Sequence, residues 1–176
     1  MSFTVHTKES APADSKPVLE QMEHAFGFIP NMAAVLAESP LAVTTYATVT
    51  GIVEEKSKLT PEEQQIVMLT VSRENGCDYC VAAHTKLADM NKVPADVVQA
   101  IGEGQDPSDA KLAALVCATR SVIQKRGWID DDVLNSFLNA GYEKAHLLDV
   151  VTIVALKTIS NYTNHIAATP LDPAFS

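Results

Sequence analysis

Apolar positions in this chain recur at intervals of three and four residues, and no segment alternates strictly between apolar and polar as a half-buried strand would. The start and stop signals between the periodic stretches are those of helices. Asp14-Ser15-Lys16-Pro17 introduces a first helix ending near Gly27, Pro30 opens a short segment from Asn31 to Glu38, and Ser39-Pro40 restarts the chain as a helix running towards Lys56. Thr60-Pro61-Glu62-Glu63 combines an N-cap, a proline at the first helical position and a glutamate placed for a capping box, ahead of Ile66, Val67, Leu69 and Val71. Asn75-Gly76 ends that helix, since both residues tolerate positive φ, and delivers the chain to the next one.

The later part repeats the pattern. A short helix follows Pro94, another runs from about Ser108 to Arg126 with a turn at Gly127, and Asp130-Asp131-Asp132 places acidic side chains at the start of a helix reaching about Asn139. The last helix, about Glu143 to Ala168, carries Leu147, Leu148, Val150, Val151, Ile153, Val154, Leu156 and Ile159 and reads as apolar nearly all round, hence central. The expected fold class is all-α: one multi-helix domain over 1–176, with extended arms at about 1–11 and 169–176. Such arms often pack across a neighbouring subunit, and so apolar a set of helices suggests a homo-oligomer.

Composition narrows the function. With 176 residues, 47% hydrophobic and 20% charged, the chain has the means to build a sizeable core. A formal net charge of -9, with no run of Lys and Arg, argues against nucleic acid or an anionic membrane surface as partner. The first ten residues lack a signal-peptide pattern, and no apolar run of about 18 residues is present to span a bilayer, so a soluble, cytoplasmic protein is expected. Three cysteines make a secreted disulfide framework improbable. Cys117, within an apolar stretch, reads as a small core residue.

Cys77 and Cys80 are the exception. At about 100° per residue, positions 77, 80 and 84 share one helical face, so two thiols and the His84 imidazole lie together near a helix N-terminus, where partial positive charge favours thiolate. A Cys-x-x-Cys has three common readings: a dithiol redox pair, half of a zinc site, or two small buried residues. Cys117 and the scattered His6, His24, His146 and His165 supply no second short-spaced ligand pair, which argues against zinc. His84 lies one turn from Cys80 and two from Cys77, so Cys80 is the better attacking thiol and Cys77, nearer the helix start and more accessible, the resolving one. The helix terminus pulls the other way, lowering the Cys77 pKa more than that of Cys80. Asn161 and His165, four apart on the last helix, face one way and read as structural.

The block from Leu59 to Leu69, with Asn75-Gly76-Cys77-Asp78-Tyr79-Cys80-Val81-Ala82-Ala83-His84, resembles the AhpD-like alkylhydroperoxidase branch of the carboxymuconolactone decarboxylase family. Gly27-Phe28-Ile29-Pro30-Asn31 and the stretch Asn161 to Ala167 resemble its longer, peroxidase-related members. The resemblance implies an all-helical, homo-oligomeric fold and a thiol-dependent reduction of hydroperoxides to alcohols. By position, Cys80 corresponds to the peroxide-attacking cysteine, Cys77 to the resolving one and His84 to the proton-relay histidine. Where the family has a glutamate, twelve positions before the first cysteine, this chain has Gln65, which can orient an imidazole but cannot take a proton. Glu63 or Glu74 is a candidate substitute, and Tyr79 a candidate hydrogen-bond donor to a peroxide oxygen.

The expected cycle uses no metal or other cofactor. Cys80 thiolate opens the O–O bond, Cys77 condenses with the resulting sulfenate, and an external dithiol or protein thiol reduces the disulfide. A non-catalytic metal-binding or redox-sensing module would use the same residues. Lactone decarboxylation, the namesake chemistry of the wider family, needs proton transfer rather than a dithiol.

Overall fold

The computed structural model describes residues 3–176, and every regular element among them is helical. The order is α1 (Lys16–Phe26), α2 (Asn31–Leu36), α3 (Pro40–Lys56), α4 (Pro61–Glu74), α5 (Asp78–Met90), α6 (Ala95–Gly102), α7 (Ala110–Gln124), α8 (Asp131–Asn139) and α9 (Lys144–Ala167), with one-turn 3-10 segments at Ala13–Ser15 and Pro173–Phe175. The all-α expectation holds. The capping box at Thr60 forms as read: Thr60 Oγ1 accepts from the Glu63 N–H at 3.2 Å, and Glu63 Oε2 accepts from the Thr60 N–H at 3.0 Å.

Helix α4 runs through the middle of the molecule, packed against α5, α6, α7 and α9, with Ile66, Val67, Met68, Leu69 and Val71 all buried. The main core joins these to Leu115, Val116, Phe137, Val150, Ile153 and Leu156. A second, smaller apolar cluster holds Met32, Leu36 and Val43 together with Cys77, Tyr79, Cys80 and Ala83. Tyr46 of α3 touches both. The cysteines therefore sit in a seam between α2, α3, α5 and α9, at the edge of the main core.

Two expectations change here. Helix α9 is central, but only one of its faces is buried; Leu148, Val151, Tyr162 and Ile166 are exposed, because 24 residues offer more apolar surface than the helices around them cover. Cys117 is exposed on α7 rather than in the core, since Leu115, Val116 and Ala118 take the inward positions. Both terminal segments also make contacts within the chain. His6 donates to the Ala34 carbonyl at 3.3 Å and bonds Glu38, while the C-terminal tail turns back over α2 and α5. No helix among the described residues is long and apolar enough to cross a membrane.

Candidate active site

The cysteine pair is placed by a helix ending and a helix beginning at one residue. Asn75 caps α4, Gly76 follows at φ 66°, and two backbone bonds, Gly76 N–H to Arg73 O at 3.0 Å and Cys77 N–H to Ser72 O at 2.9 Å, close a Schellman turn. Cys77 is then the N-cap of α5, and its carbonyl accepts from the Val81 N–H at 2.9 Å. Cys80 follows in the first turn. Both thiols are buried, at 1% and 2% exposure, so Cys77 is not the more open one by area. It does line a surface depression of about 240 Å³ with Gly76, Asp78, Asn164 and Thr169, from which Cys80 is set back.

The sulfurs are not equivalent. The closeness of the two thiols lowers the Cys80 pKa and raises that of Cys77. Burial opposes ionisation of Cys80, but the charge of Lys157 and the polar side chains of Asn161 and Ser160 favour it, and the net shift is well below the ordinary thiol value. Asn164 Nδ2 stands 3.3 Å from Cys80 Sγ and 3.8 Å from Cys77 Sγ, and Ser160 Oγ lies 3.9 Å from Cys80 Sγ. The pull of the helix terminus on Cys77 is outweighed by the neighbouring Cys80 and by burial.

His84 is on the same face of α5 and buried, yet both of its ring nitrogens are engaged away from the sulfurs. Nδ1 meets Gln65 Oε1 at 3.0 Å, and Nε2 meets the Lys157 ammonium at 2.7 Å. An amide oxygen only accepts and an ammonium only donates, so the ring is neutral with its proton on Nδ1. Burial first and Lys157 second hold its pKa far below the ordinary histidine value. Neither carboxylate considered as a substitute for Gln65 reaches this place. Glu63 is bound to Lys111 and Tyr142, and Glu74 to Arg120 and Gln124.

Tyr79 is turned away from the sulfurs towards the tail. Its hydroxyl donates to the Asp172 carboxylate and accepts from the Met32 N–H at 3.3 Å, and its ring meets Phe175 edge-on at 6.1 Å between centroids. Asn161 and His165 part company: Asn161 is buried, taking a bond from Asn75 Nδ2 at 2.9 Å, while His165 is exposed. The residues the sequence reading passed over are Lys157, Ser160 and Asn164. With Asn161 they form a buried polar stripe at i, i+3, i+4 and i+7 of a helix whose other buried positions are apolar, and that spacing was the signal available for finding them.

The sequence profile of the carboxymuconolactone decarboxylase family matches residues 40–116, from the start of α3 into α7. That stretch is similar to the carboxymuconolactone decarboxylase family. It holds Gln65, Cys77, Cys80 and His84, whereas the polar stripe of α9 lies outside it. No curated protein matches the whole sequence significantly. Among solved structures the chain shares the AhpD core fold with an uncharacterized peroxidase-related protein from Ralstonia eutropha JMP134, at a TM-score of 0.85 and 18% identity, covering 98% of this chain and 93% of the other. An uncharacterized peroxidase-related protein from Silicibacter sp. TM1040 gives a TM-score of 0.83 at 14% identity, over 99% and 92%. A cysteine-to-alanine variant of the debrominase Bmp8, in complex with 2,3,4-tribromopyrrole, gives 0.82 at 18% identity, over 99% and 94%. The matched stretch thus sits in a fold that peroxidase-related proteins and a debrominase share.

Proposed function

We propose that this protein is a thiol-dependent peroxidase in which Cys80 attacks the hydroperoxide and Cys77 resolves the sulfenate as a disulfide. The observation that carries the reading is the asymmetry of the pair: Asn164 Nδ2 stands 3.3 Å from Cys80 Sγ and 3.8 Å from Cys77 Sγ, and the surroundings favour the thiolate at Cys80 and the thiol at Cys77. A thiolate beside a thiol is the reactant state of that two-step chemistry. The depression at Cys77 supplies the place where an external dithiol, small or protein-borne, meets the disulfide, in a reducing compartment such as the cytoplasm. The exposed apolar positions of α9 support self-association.

A metal-binding module fits the same residues less well. A cation between the sulfurs would face the Lys157 ammonium, and His84 has no free nitrogen to offer. The test is peroxide consumption with a dithiol donor. Cys80→Ser is expected to abolish turnover, and Cys77→Ser to accumulate a sulfenate that a sulfenate-specific nucleophile traps. Full turnover in Cys80→Ser overturns the proposal. Halogenated pyrroles belong in the same assay, because the debrominase shares the fold; dehalogenation without peroxide consumption would replace the peroxidase reading.

A further inference from the structure

Lys157 is 1% exposed, in the middle of the longest helix, and it makes no ion pair with any carboxylate among the described residues. A buried ammonium without a counter-charge is costly, and the usual remedies are a paired anion or loss of the proton. Its one side-chain hydrogen bond is to His84 Nε2 at 2.7 Å, a neutral acceptor that orients the ammonium but does not balance it. The titratable groups facing it are His84 and Cys80 from α5 and Tyr46 from α3; burial is the main cause that keeps Tyr46 protonated. Cys80 is the one group among these with the chemistry to be the anion.

We infer that Lys157 is the counter-ion of the Cys80 thiolate in the reduced protein and the acid that protonates the leaving alkoxide, so that its charge appears and disappears with the redox state of the cysteine pair. The inference rests on the peroxidase reading for its substrate, but its electrostatic half stands alone. The proton balance closes within the site. Cys80 S⁻ attacks the distal oxygen of ROOH, the O–O bond breaks, and the pair of electrons leaves as RO⁻. Lys157 gives RO⁻ a proton, directly or through one water, and becomes a neutral amine. Cys77 S–H then condenses with Cys80 S–OH, forming the disulfide and water. The oxidised site has neither thiolate nor ammonium, so no charge is left buried and unpaired. Reduction by an external dithiol restores both charges, its two protons ending on Cys77 and Lys157.

The same arrangement accounts for Gln65. Lys157 needs the Nε2 lone pair, which requires a neutral ring with its proton on Nδ1 and a neutral acceptor opposite. A glutamate there would draw a second proton onto the ring and turn Nε2 into a donor facing an ammonium. His84 and Gln65 are on this account positioning residues, and Lys157 is the acid.

Two measurements test the inference without needing peroxide. Alkylation of Cys80 by iodoacetamide as a function of pH reads the thiolate; Lys157→Met is expected to move its midpoint upward by about one unit or more, and Lys157→Arg, which keeps the charge, to hold it near the parent value. In the peroxide assay Lys157→Arg is expected to lose about 10²-fold or more, because a guanidinium holds its proton. Should Lys157→Met not fold, nitrogen NMR of the unmodified protein gives the second readout: Lys157 Nζ is expected as ammonium in the reduced form and as amine in the disulfide form. An unmoved alkylation profile in Lys157→Met, or an ammonium in both redox states, overturns the inference. A protein that passes both tests but consumes no peroxide keeps the ion pair and loses the peroxidase reading.

Discussion

At the scale of single residues the site departs from its local spacing in one consequential way. Cys77, Cys80 and His84 share a helical face as their positions dictate, but His84 turns to Gln65 and Lys157 rather than to the sulfur one turn away. A buried neutral imidazole has a consequence for folding. Its folded pKa lies below the unfolded value of about 6.5, so the unfolded chain binds the proton more readily in acid. The stability this contributes is fully present above the unfolded pKa and is lost as pH falls towards the folded one. Between about pH 7 and about pH 5 the parent protein is expected to lose stability more steeply than His84→Gln, with a difference in slope approaching about 1.4 kcal/mol per unit below the unfolded pKa. Urea midpoints at several pH values check this, and parallel slopes would mean that the ring is not held neutral. Comparison with the variant removes the contribution of the other acidic groups.

At the scale of elements the position of Cys77 depends on Gly76. The left-handed turn there ends α4 and makes the following residue the first of α5, so the sulfur's location is fixed by backbone geometry before side chains pack. A Cβ at Gly76 would meet no heavy atom within 4 Å, so any cost of substitution lies in the backbone. Gly76→Ala is expected to destabilise the protein by about 1–2 kcal/mol and Gly76→Asn by less, since asparagine tolerates this conformation. Equal stability of the two variants in chemical denaturation would remove the argument. The cap at Thr60, the stop at Gly76 and the restart at Cys77 were all legible in the chain, because these signals are local. The inward face of α9 was not. Its apolar residues spread around the whole helix, and only the neighbours α2, α3, α4, α5 and α7 select which stripe is buried and with it Lys157, Ser160 and Asn164.

At the scale of the whole molecule the tail closes over the site. Asp172, 4% exposed, accepts from the Asn31 N–H at 3.1 Å through both carboxylate oxygens and takes the hydroxyl of Tyr79, the residue just before Cys80 on α5. Phe175 extends this contact as an edge-to-face ladder with Phe28 and Tyr79. Asp172→Ala leaves the Tyr79 hydroxyl and the Asn31 N–H without their acceptor, a local cost of about 1–3 kcal/mol. Limited proteolysis is expected to trim the tail of this variant faster while the helical core stays protected. An unchanged cleavage rate would show that the aromatic contacts alone hold the tail. Nothing in residues 170–176 announces this docking, because its partners are some 90 and 140 positions away.

What the chain settled by itself is therefore what short-range chemistry controls: the helices, their caps and breaks, and the coincidence of two thiols and an imidazole on one face. Period and capping act within a few residues, so they are written in neighbouring letters. Tertiary packing decided the charges. Which sulfur favours the thiolate, why the ring beside it stays neutral, and where the balancing cation comes from all depend on a lysine 73 positions beyond His84, brought in when α9 crosses α5. Burial sets the cost of every charge, and no local pattern reports what will be buried together.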